Sequence, residues 1–293
     1  MLEGSLVALV TPFFEDGSID FTSFCKSVSW QIEQGTKGLV ICGSTGESST
    51  LSSLEQEELI SLAVKEAKGR IPIIAGTGSN DTRVAVERTL KAKNAGADAS
   101  LLIFPYYNRP TFEGCLRHLQ KVNECNFPFL LYHNPGRTGG RFSPAQLAEF
   151  LTIENTIGIK EAAGDVDHCL EVMRLSSKPL FSGDDTLSLP LIASGARGSI
   201  SIIGNLVPKE WSLFIKYALE GNFTKARELY YFFAPLCKAM FLETNPQCIK
   251  YAMSLEGYCK PHMRLPLVVP KEQIRKQIAE TYQDFKKKSP SFF

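Results

Sequence analysis

The sequence predicts an α/β chain folded as a (β/α)8 barrel with a C-terminal helical extension. Three observations lead there. From Leu6 to Ile202, eight short apolar runs alternate with longer stretches of helical periodicity. The runs are apolar throughout, as suits parallel strands covered on both faces. Beyond residue 223 only helical patterns follow. The alternation also admits an open doubly wound sheet, but a repeat that reaches eight favours closure. Residues 1–223 are thus expected to form the barrel and catalytic domain, and 224–293 the helical extension.

The first run, Leu6 to Val10, ends at Thr11-Pro12, and a helix from Phe21 to Gln34 follows with Asp20 as its N-cap. The second, Gly38 to Cys42, ends in Gly43-Ser44-Thr45-Gly46-Glu47. Ser53 to Lys68 reads as a helix opened by a capping box, Ser53-x-x-Gln56. Ile71 to Ala75 ends in Gly76-Thr77-Gly78 and precedes a helix from Asp81 to Gly96. Ala99 to Phe104 ends in Pro105-Tyr106-Tyr107-Asn108, and Phe112 to Glu124 is helical. Phe129 to Tyr132 leads into His133-Asn134-Pro135-Gly136-Arg137-Thr138. The helix from Pro144 to Leu151 has Ser143 as cap and proline at its first position. Ile157 to Ile159 is the sixth strand, with Lys160 where it leaves the core. Asp167 to Leu175 is helical, Leu180 to Ser182 is the seventh strand, Leu187 to Ser194 a short helix, and Gly198 to Ile202 the eighth strand. Thr224 to Phe241, Pro246 to Leu255 and Lys271 to Lys286 read as the extension's helices, with a frayed tail from Lys286 to Ser291.

Bulk composition narrows the function. The 293 residues are 44% hydrophobic and 22% charged, with a net charge of +1, ordinary for a globular protein and unlike a nucleic-acid or anionic-membrane binder. No apolar run is long enough to span a bilayer, and the first residues lack a signal-peptide pattern, so a cytoplasmic setting is expected. Eight scattered cysteines without a C-x-x-C pair read as reduced core thiols. The four histidines show no metal-ligand spacing, and Gly76-Thr77-Gly78 lacks the third glycine of a dinucleotide fingerprint. Neither a metal nor a cofactor is expected.

In a barrel enzyme the chemistry gathers where the strands end. Thr11, Ser44, Thr45, Tyr107, Tyr132, Arg137, Lys160 and Gly183 stand there. Hydroxyls, one guanidinium and one amine suit carbonyl chemistry on an anionic substrate. A partly desolvated Lys160 can attack a carbonyl and form a Schiff base, and Tyr132 can carry protons. Gly43 and Gly46 let backbone amides approach a carboxylate, with the Ser44 and Thr45 hydroxyls as further donors. Arg137 can hold a second carboxylate bidentately. Taken singly, each has a plainer reading: a surface lysine at a strand end, an ordinary turn, core or interface aromatics, a solvated loop arginine. Asp184 and Asp185 read as a helix N-cap rather than as catalysts. The convergence of independent strands on one rim is what favours a site.

These residues resemble the dihydrodipicolinate synthase family across nearly the whole chain. Its patterns stand here as Gly43-Ser44-Thr45-Gly46-Glu47, Pro105 to Pro110, Tyr132 to Thr138, Ile159-Lys160-Glu161-Ala162, Ser182 to Asp185 and Gly198-Ser199-Ile200-Ser201. Asn245-Pro246 and Leu265-Pro266 match as well. The resemblance implies a class I aldolase-type lyase of lysine and diaminopimelate biosynthesis. Lys160 would form an imine with pyruvate, and the derived enamine would attack aspartate semialdehyde. Thr45, Tyr107 and Tyr132 match the proton relay, Tyr107 being supplied by a neighbouring subunit, which implies a dimer and the usual homotetramer, a dimer of dimers. Arg137 matches the group that holds the semialdehyde carboxylate, and Gly183 and Ile200 match residues whose backbone lines the pyruvate site.

The chain departs from the pattern in places. Ser44 replaces the usual threonine, and His133 and Asn134 stand where an asparagine and an apolar residue are usual. Gly-Ser-Thr-Gly-Glu is also common in the related N-acetylneuraminate lyases, so another pyruvate lyase acting on a sugar acceptor is the alternative. A non-catalytic pyruvate-binding protein is a third. Arg137 favours the synthase over the first, and intact Lys160, Tyr132 and Thr45 disfavour the second. Ser48, Asn80 and Tyr106 match the family's lysine-inhibition site, but Ser53, Gln56 and Val84 do not match its lysine-sensitive form, which implies weak or absent feedback by lysine.

Overall fold

Apolar β-branched residues in the short runs form strands, and the two-residue period of a strand sends alternate side chains to opposite faces. In the computed structural model, which describes residues 2–289, both faces are dry because the sheet closes on itself inside a ring of helices. The elements run β1 (Gly4–Ala8), α1 (Phe21–Glu33), β2 (Gly38–Ile41), α2 (Ser53–Ala67), β3 (Ile73–Gly76), α3 (Thr82–Asn94), β4 (Ala99–Ile103), α4 (Phe112–Asn123), β5 (Phe129–His133), α5 (Pro135–Thr138), α6 (Pro144–Phe150) and β6 (Thr156–Glu161). They continue with α7 (Val166–Leu175), β7 (Leu180–Ser182), α8 (Ser188–Ala193), β8 (Gly198–Ser201), α9 (Pro208–Leu219), α10 (Phe223–Ala239), α11 (Gln247–Leu255) and α12 (Glu272–Lys288). Each strand pairs in parallel with the next, and β8 returns to β1 with Gly4 opposite Gly198. This is a (β/α)8, or TIM, barrel with C-terminal helices; the open sheet is excluded.

Leu6, Ala8, Val40, Ile74, Ala99, Leu101, Leu130, Tyr132, Phe181 and Ile200 fill the barrel interior as one cluster. Val7, Leu39 and Ile41 face outward, as do Phe129, Leu131 and Ile159. The outer core is continuous from Phe104, Phe129 and Phe150 through Trp211 and Phe233 to Tyr282 and Phe285, so the C-terminal helices share it with the barrel. No helix among the described residues is long and apolar enough to cross a membrane. All eight cysteines carry free thiols. Burial pushes Cys42 and Cys169 up to about 12 and Cys115 and Cys259 up to about 11.

The structure differs from the sequence-based expectations in several places. The capping box of α2 uses Ser52 and Glu55, one residue earlier than Ser53 and Gln56; Gln56 is buried instead and donates to the Ser48 carbonyl at 2.9 Å. Lys160 does not sit beyond its strand but within it, because β6 continues to Glu161. Helix α9, absent from the sequence reading, fills the eighth outer position, with Trp211, Phe214, Ile215 and Ala218 buried. The segment from Lys286 to Lys288 is helical, and Lys286 pairs with Glu256 at 2.5 Å, so the frayed tail does not begin there. The expected fraying of 290–291 lies outside the described residues.

Candidate active site

Register decides which residues meet. Tyr132 on β5 lies opposite Lys160 on β6, and Lys160 opposite Phe181 on β7. Tyr132 and Phe181 face the interior, so Lys160 does too, at the C-terminal mouth of the barrel. It is only 5% exposed, and its Nζ stands 4.5 Å from the centroid of the Tyr132 ring. One residue on, His133 and Glu161 are also opposite one another. They point outward beneath the helices.

The wall opposite Lys160 is the loop after β2. Cys42 and Glu47 bracket it with positive φ angles of 56° and 55°. The end of β3 passes so close beneath it that a Cβ on Gly76 would lie 2.2 Å from the Cys42 carbonyl oxygen, and only glycine fits. Thr11 anchors the loop by donating its hydroxyl to the Gly46 carbonyl at 2.7 Å. Deeper, Glu47 meets Lys250 of α11: Lys250 Nζ donates to Glu47 Oε1 at 2.7 Å and to the Thr11 carbonyl at 2.8 Å. Burial raises the Glu47 carboxyl and lowers the Lys250 ammonium, outweighing their mutual attraction. The second Glu47 oxygen accepts the Arg264 amide at 3.1 Å. The loop that carries Ser44 and Thr45 is therefore tied to the C-terminal helices.

A cavity of about 60 Å³ opens between these walls, lined by Ser44, Thr45, Tyr132, Asn134, Arg137, Lys160 and Gly183 among others. Thr45 is buried, and its hydroxyl accepts the Asn245 side-chain amide at 3.0 Å. The Asn245 carbonyl in turn accepts Arg137 Nη2 at 3.2 Å. Arg137 is exposed at the mouth, on the short helix α5. The phenol of Tyr132 receives the Asn134 amide at 3.0 Å and hydrogen-bonds Ser44. Burial raises the Tyr132 pKa, but Lys160 and Arg137, then Asn134 and Ser44, bring it below its ordinary value. Gly183 leaves room for the lysine: a Cβ there would stand 2.9 Å from Lys160 Cε.

Of the site residues singled out in the sequence, Ser44, Thr45, Tyr132, Arg137, Lys160 and Gly183 line this one cavity. Thr11, Ile200 and Tyr107 do not; Thr11 instead anchors the loop that carries Ser44 and Thr45. Ile200 is fully buried in the barrel interior, and Ile202 lines the cavity in its place, because Ile202 stands just beyond the strand end. Tyr107 is 90% exposed, with φ 70°, and is not on the cavity wall of its own chain. Asn245 and Phe241 also line the cavity. In the sequence Asn245 stands out only as part of a pattern, and Phe241 only as a helix end. Asp184 caps a single 3-10 turn by accepting the Thr186 amide at 3.0 Å. Asp185 is buried, accepts the Ile202 and Ile203 amides, and is pushed up to about 6 chiefly by burial.

His133, Glu161 and His168 bring potential ligand atoms within 4.8 Å of one another, a grouping their sequence spacing did not suggest because it forms across strands. His133 Nδ1 lies 2.8 Å from the Glu161 carboxylate and its Nε2 lies 3.3 Å from the Phe142 amide nitrogen, so both ring nitrogens already have partners. The pair staples β5 to β6 one residue beyond Tyr132 and Lys160. In chemical terms the cavity offers a desolvated amine, a phenol of lowered pKa, paired hydroxyls and a guanidinium at the entrance. That set can form an imine with a small keto acid and receive a second, anionic reactant.

The profile of the dihydrodipicolinate synthetase family matches residues 1–284. The chain is 43% identical to the 4-hydroxy-tetrahydrodipicolinate synthase of Hydrogenobaculum over 97% of its own length and 99% of the relative's. It is 44% identical to the enzyme of that name from Persephonella marina, again over 97% and 99%. Among solved structures, the chloride-inhibited dihydrodipicolinate synthase of Acinetobacter baumannii complexed with pyruvate superposes with a TM-score of 0.96 at 40% identity, covering 98% of this chain and 99% of that one.

Proposed function

The chain belongs to the dihydrodipicolinate synthetase family, and from that premise we propose that it condenses pyruvate with L-aspartate 4-semialdehyde to 4-hydroxy-tetrahydrodipicolinate through a Schiff base on Lys160. The observation that carries the chemistry is the position of Lys160: an amine 5% exposed, opening on the cavity beside the Tyr132 phenol. The amine adds to the pyruvate carbonyl carbon, and Tyr132 gives a proton to the hydroxyl that leaves as water. Loss of a methyl proton then makes the enamine, whose carbon attacks the semialdehyde aldehyde. The semialdehyde's own amine adds to the imine carbon and expels Lys160, closing the ring. Ser44 and Thr45 on the cavity wall suit the pyruvate carboxylate, and Arg137 at the mouth suits the semialdehyde carboxylate. The reading needs no cofactor, since the covalent imine does the activation.

It also includes a homotetramer in which a neighbouring copy supplies Tyr107. A tyrosine held at φ 70° with 90% of its surface exposed is what a residue offered to a second copy would look like. Borohydride reduction in the presence of pyruvate should add a pyruvate-derived mass to Lys160 and nothing to Lys160→Ala. Failure to trap an adduct, or an adduct that survives in Lys160→Ala, rejects the Schiff base. Comparing aspartate semialdehyde with N-acetylmannosamine as acceptor then decides between synthase and sugar lyase. Sedimentation together with turnover of Tyr107→Phe tests the shared site: a monomer of full activity, or unchanged turnover in the variant, would remove it.

A further inference from the structure

We propose that Asn134 is a positioning residue for this reaction, its side-chain amide donating to the Tyr132 phenolic oxygen while its side-chain carbonyl fixes the turn that presents Arg137. The inference rests on the reading of Tyr132 as the proton carrier beside Lys160. One side chain serves both groups. Asn134 Nδ2 lies 3.0 Å from the Tyr132 hydroxyl oxygen, and Asn134 Oδ1 accepts the Arg137 amide at 3.1 Å as the N-cap of α5. Asn134 itself stands on the cavity wall.

A donor aimed at a phenolic oxygen binds phenolate more strongly than phenol. When Tyr132 gives its proton to the departing hydroxyl, the charge left on its oxygen falls where the Asn134 N–H already points. The other groups that face this phenol are Lys160 from β6, Arg137 from α5 and Ser44 from the loop after β2. Lys160 loses its charge while it acts as the free amine. The Asn134 amide does not titrate, so its contribution persists at that stage. Its second bond couples the proton carrier to the anion-binding arginine through a single side chain.

Two substitutions separate the two bonds. Asn134→Asp keeps an oxygen to cap Arg137 and replaces the donor with an acceptor. Asn134→Val removes both. The Tyr132 phenol is followed by NMR of 13Cζ-labelled tyrosine, with Tyr132→Phe to assign its signal. We expect Tyr132 to titrate about one pH unit higher in Asn134→Val, the scale of one lost hydrogen bond to a charged group. In Asn134→Asp it should titrate higher still. The limb of the kcat–pH profile set by Tyr132 should move with it, with kcat changing more than KM for pyruvate. A phenol titration unmoved in Asn134→Asp overturns the inference, including the case where only Asn134→Val shifts, because the cap alone would then explain it. If Asn134→Val does not fold, Asn134→Asp carries the test. Borohydride trapping on the same wild-type sample keeps the two readings apart. Its failure rejects the Schiff base, whereas the phenol titration reports on Asn134 without any turnover.

Discussion

Removing the ammonium from the buried pair at the foot of the Ser44–Thr45 loop should unfold the protein earlier by a large margin. Lys250→Met is the perturbation. The Lys250 and Glu47 side chains are 0% and 1% exposed, and Lys250 Nζ also lies over the Phe13 ring at 4.4 Å. Methionine fills the space of the lysine stem but leaves Glu47 Oε1 and the Thr11 carbonyl without their donor. The carboxylate keeps only the Arg264 amide at 3.1 Å. Stranding one partner of a buried pair costs about 3–5 kcal/mol. At roughly 2 °C per kcal/mol for a chain of this size, the thermal midpoint should fall by about 6–10 °C. Adding Glu47→Gln, which retains an acceptor for the Arg264 amide, removes the stranded charge and should restore much of the loss. The sign with pH follows as well. A carboxyl whose folded pKa is raised is least costly when protonated, and its burden grows as pH rises above 4.5 toward the folded value. The Lys250→Met deficit should therefore be larger at pH 8 than at pH 5. Scanning calorimetry of the wild type, both single variants and the double variant measures all of this. A single variant within about 1 kcal/mol of wild type, below the range for breaking a buried pair, would refute the reasoning.

Gly183→Ala should fold and lose activity, since its Cβ would meet Lys160 Cε at 2.9 Å and Ala162 Cβ at 2.8 Å. A displaced nucleophile costs about 10²-fold in kcat/KM, and steady-state assays beside a thermal melt check that activity falls further than stability. Acid should destabilise the wild type through Glu55, whose carboxyl is held down to about 2 chiefly by hydrogen bonds from Arg264. That stabilisation is complete above 4.5 and is lost as pH falls toward 2. Urea midpoints of Glu55→Gln should show a shallower acid decline, and parallel curves would exclude the assignment. Lysine should inhibit weakly or not at all. Ser53 Oγ is occupied by the Lys91 ammonium at 2.7 Å and the Gln56 amide by the Ser48 carbonyl, while Val84 offers no carboxylate. Initial rates with micromolar lysine that fall markedly would contradict this.

The barrel was legible because its strands are apolar on both faces and its loops break them cleanly. What escaped the reading has particular causes. Lys160 and Glu161 look like the end of a strand because both are charged, yet pairing with β5 and β7 keeps them in it, one facing the barrel and one the His133 ring. The start of α2 at Ser53 is legible, but its capping box falls one residue earlier, on Ser52 and Glu55, because Ser52 and Ser53 offer equivalent hydroxyls and the buried packing of Gln56 decides between them. Helix α9 carried a usable signal, proline at its first position and an apolar stripe at helical spacing, that went unread. Lys160, Tyr132, Arg137 and the hydroxyl pair were legible because each follows or ends a strand. Asn245 reaches the cavity from the chain that leads into α11, so no strand-end rule points to it. Asn134 stood out only as an unusual residue in its pattern, since a bond two residues back along a strand end becomes visible only in three dimensions.

The ring closes between the two ends of its own chain order. Gly4 to Val7 have no outer neighbour until Gly198 to Ser201 arrive, and the core around Phe233 waits for Phe285. During synthesis, the first strand therefore leaves the ribosome long before its partner exists. Contacts so distant in sequence form slowly. An apolar strand left with an open edge is a template for pairing with other chains. The nascent chain thus passes most of its translation with this edge open, and the interval before β8 and α12 emerge is when it most needs shielding.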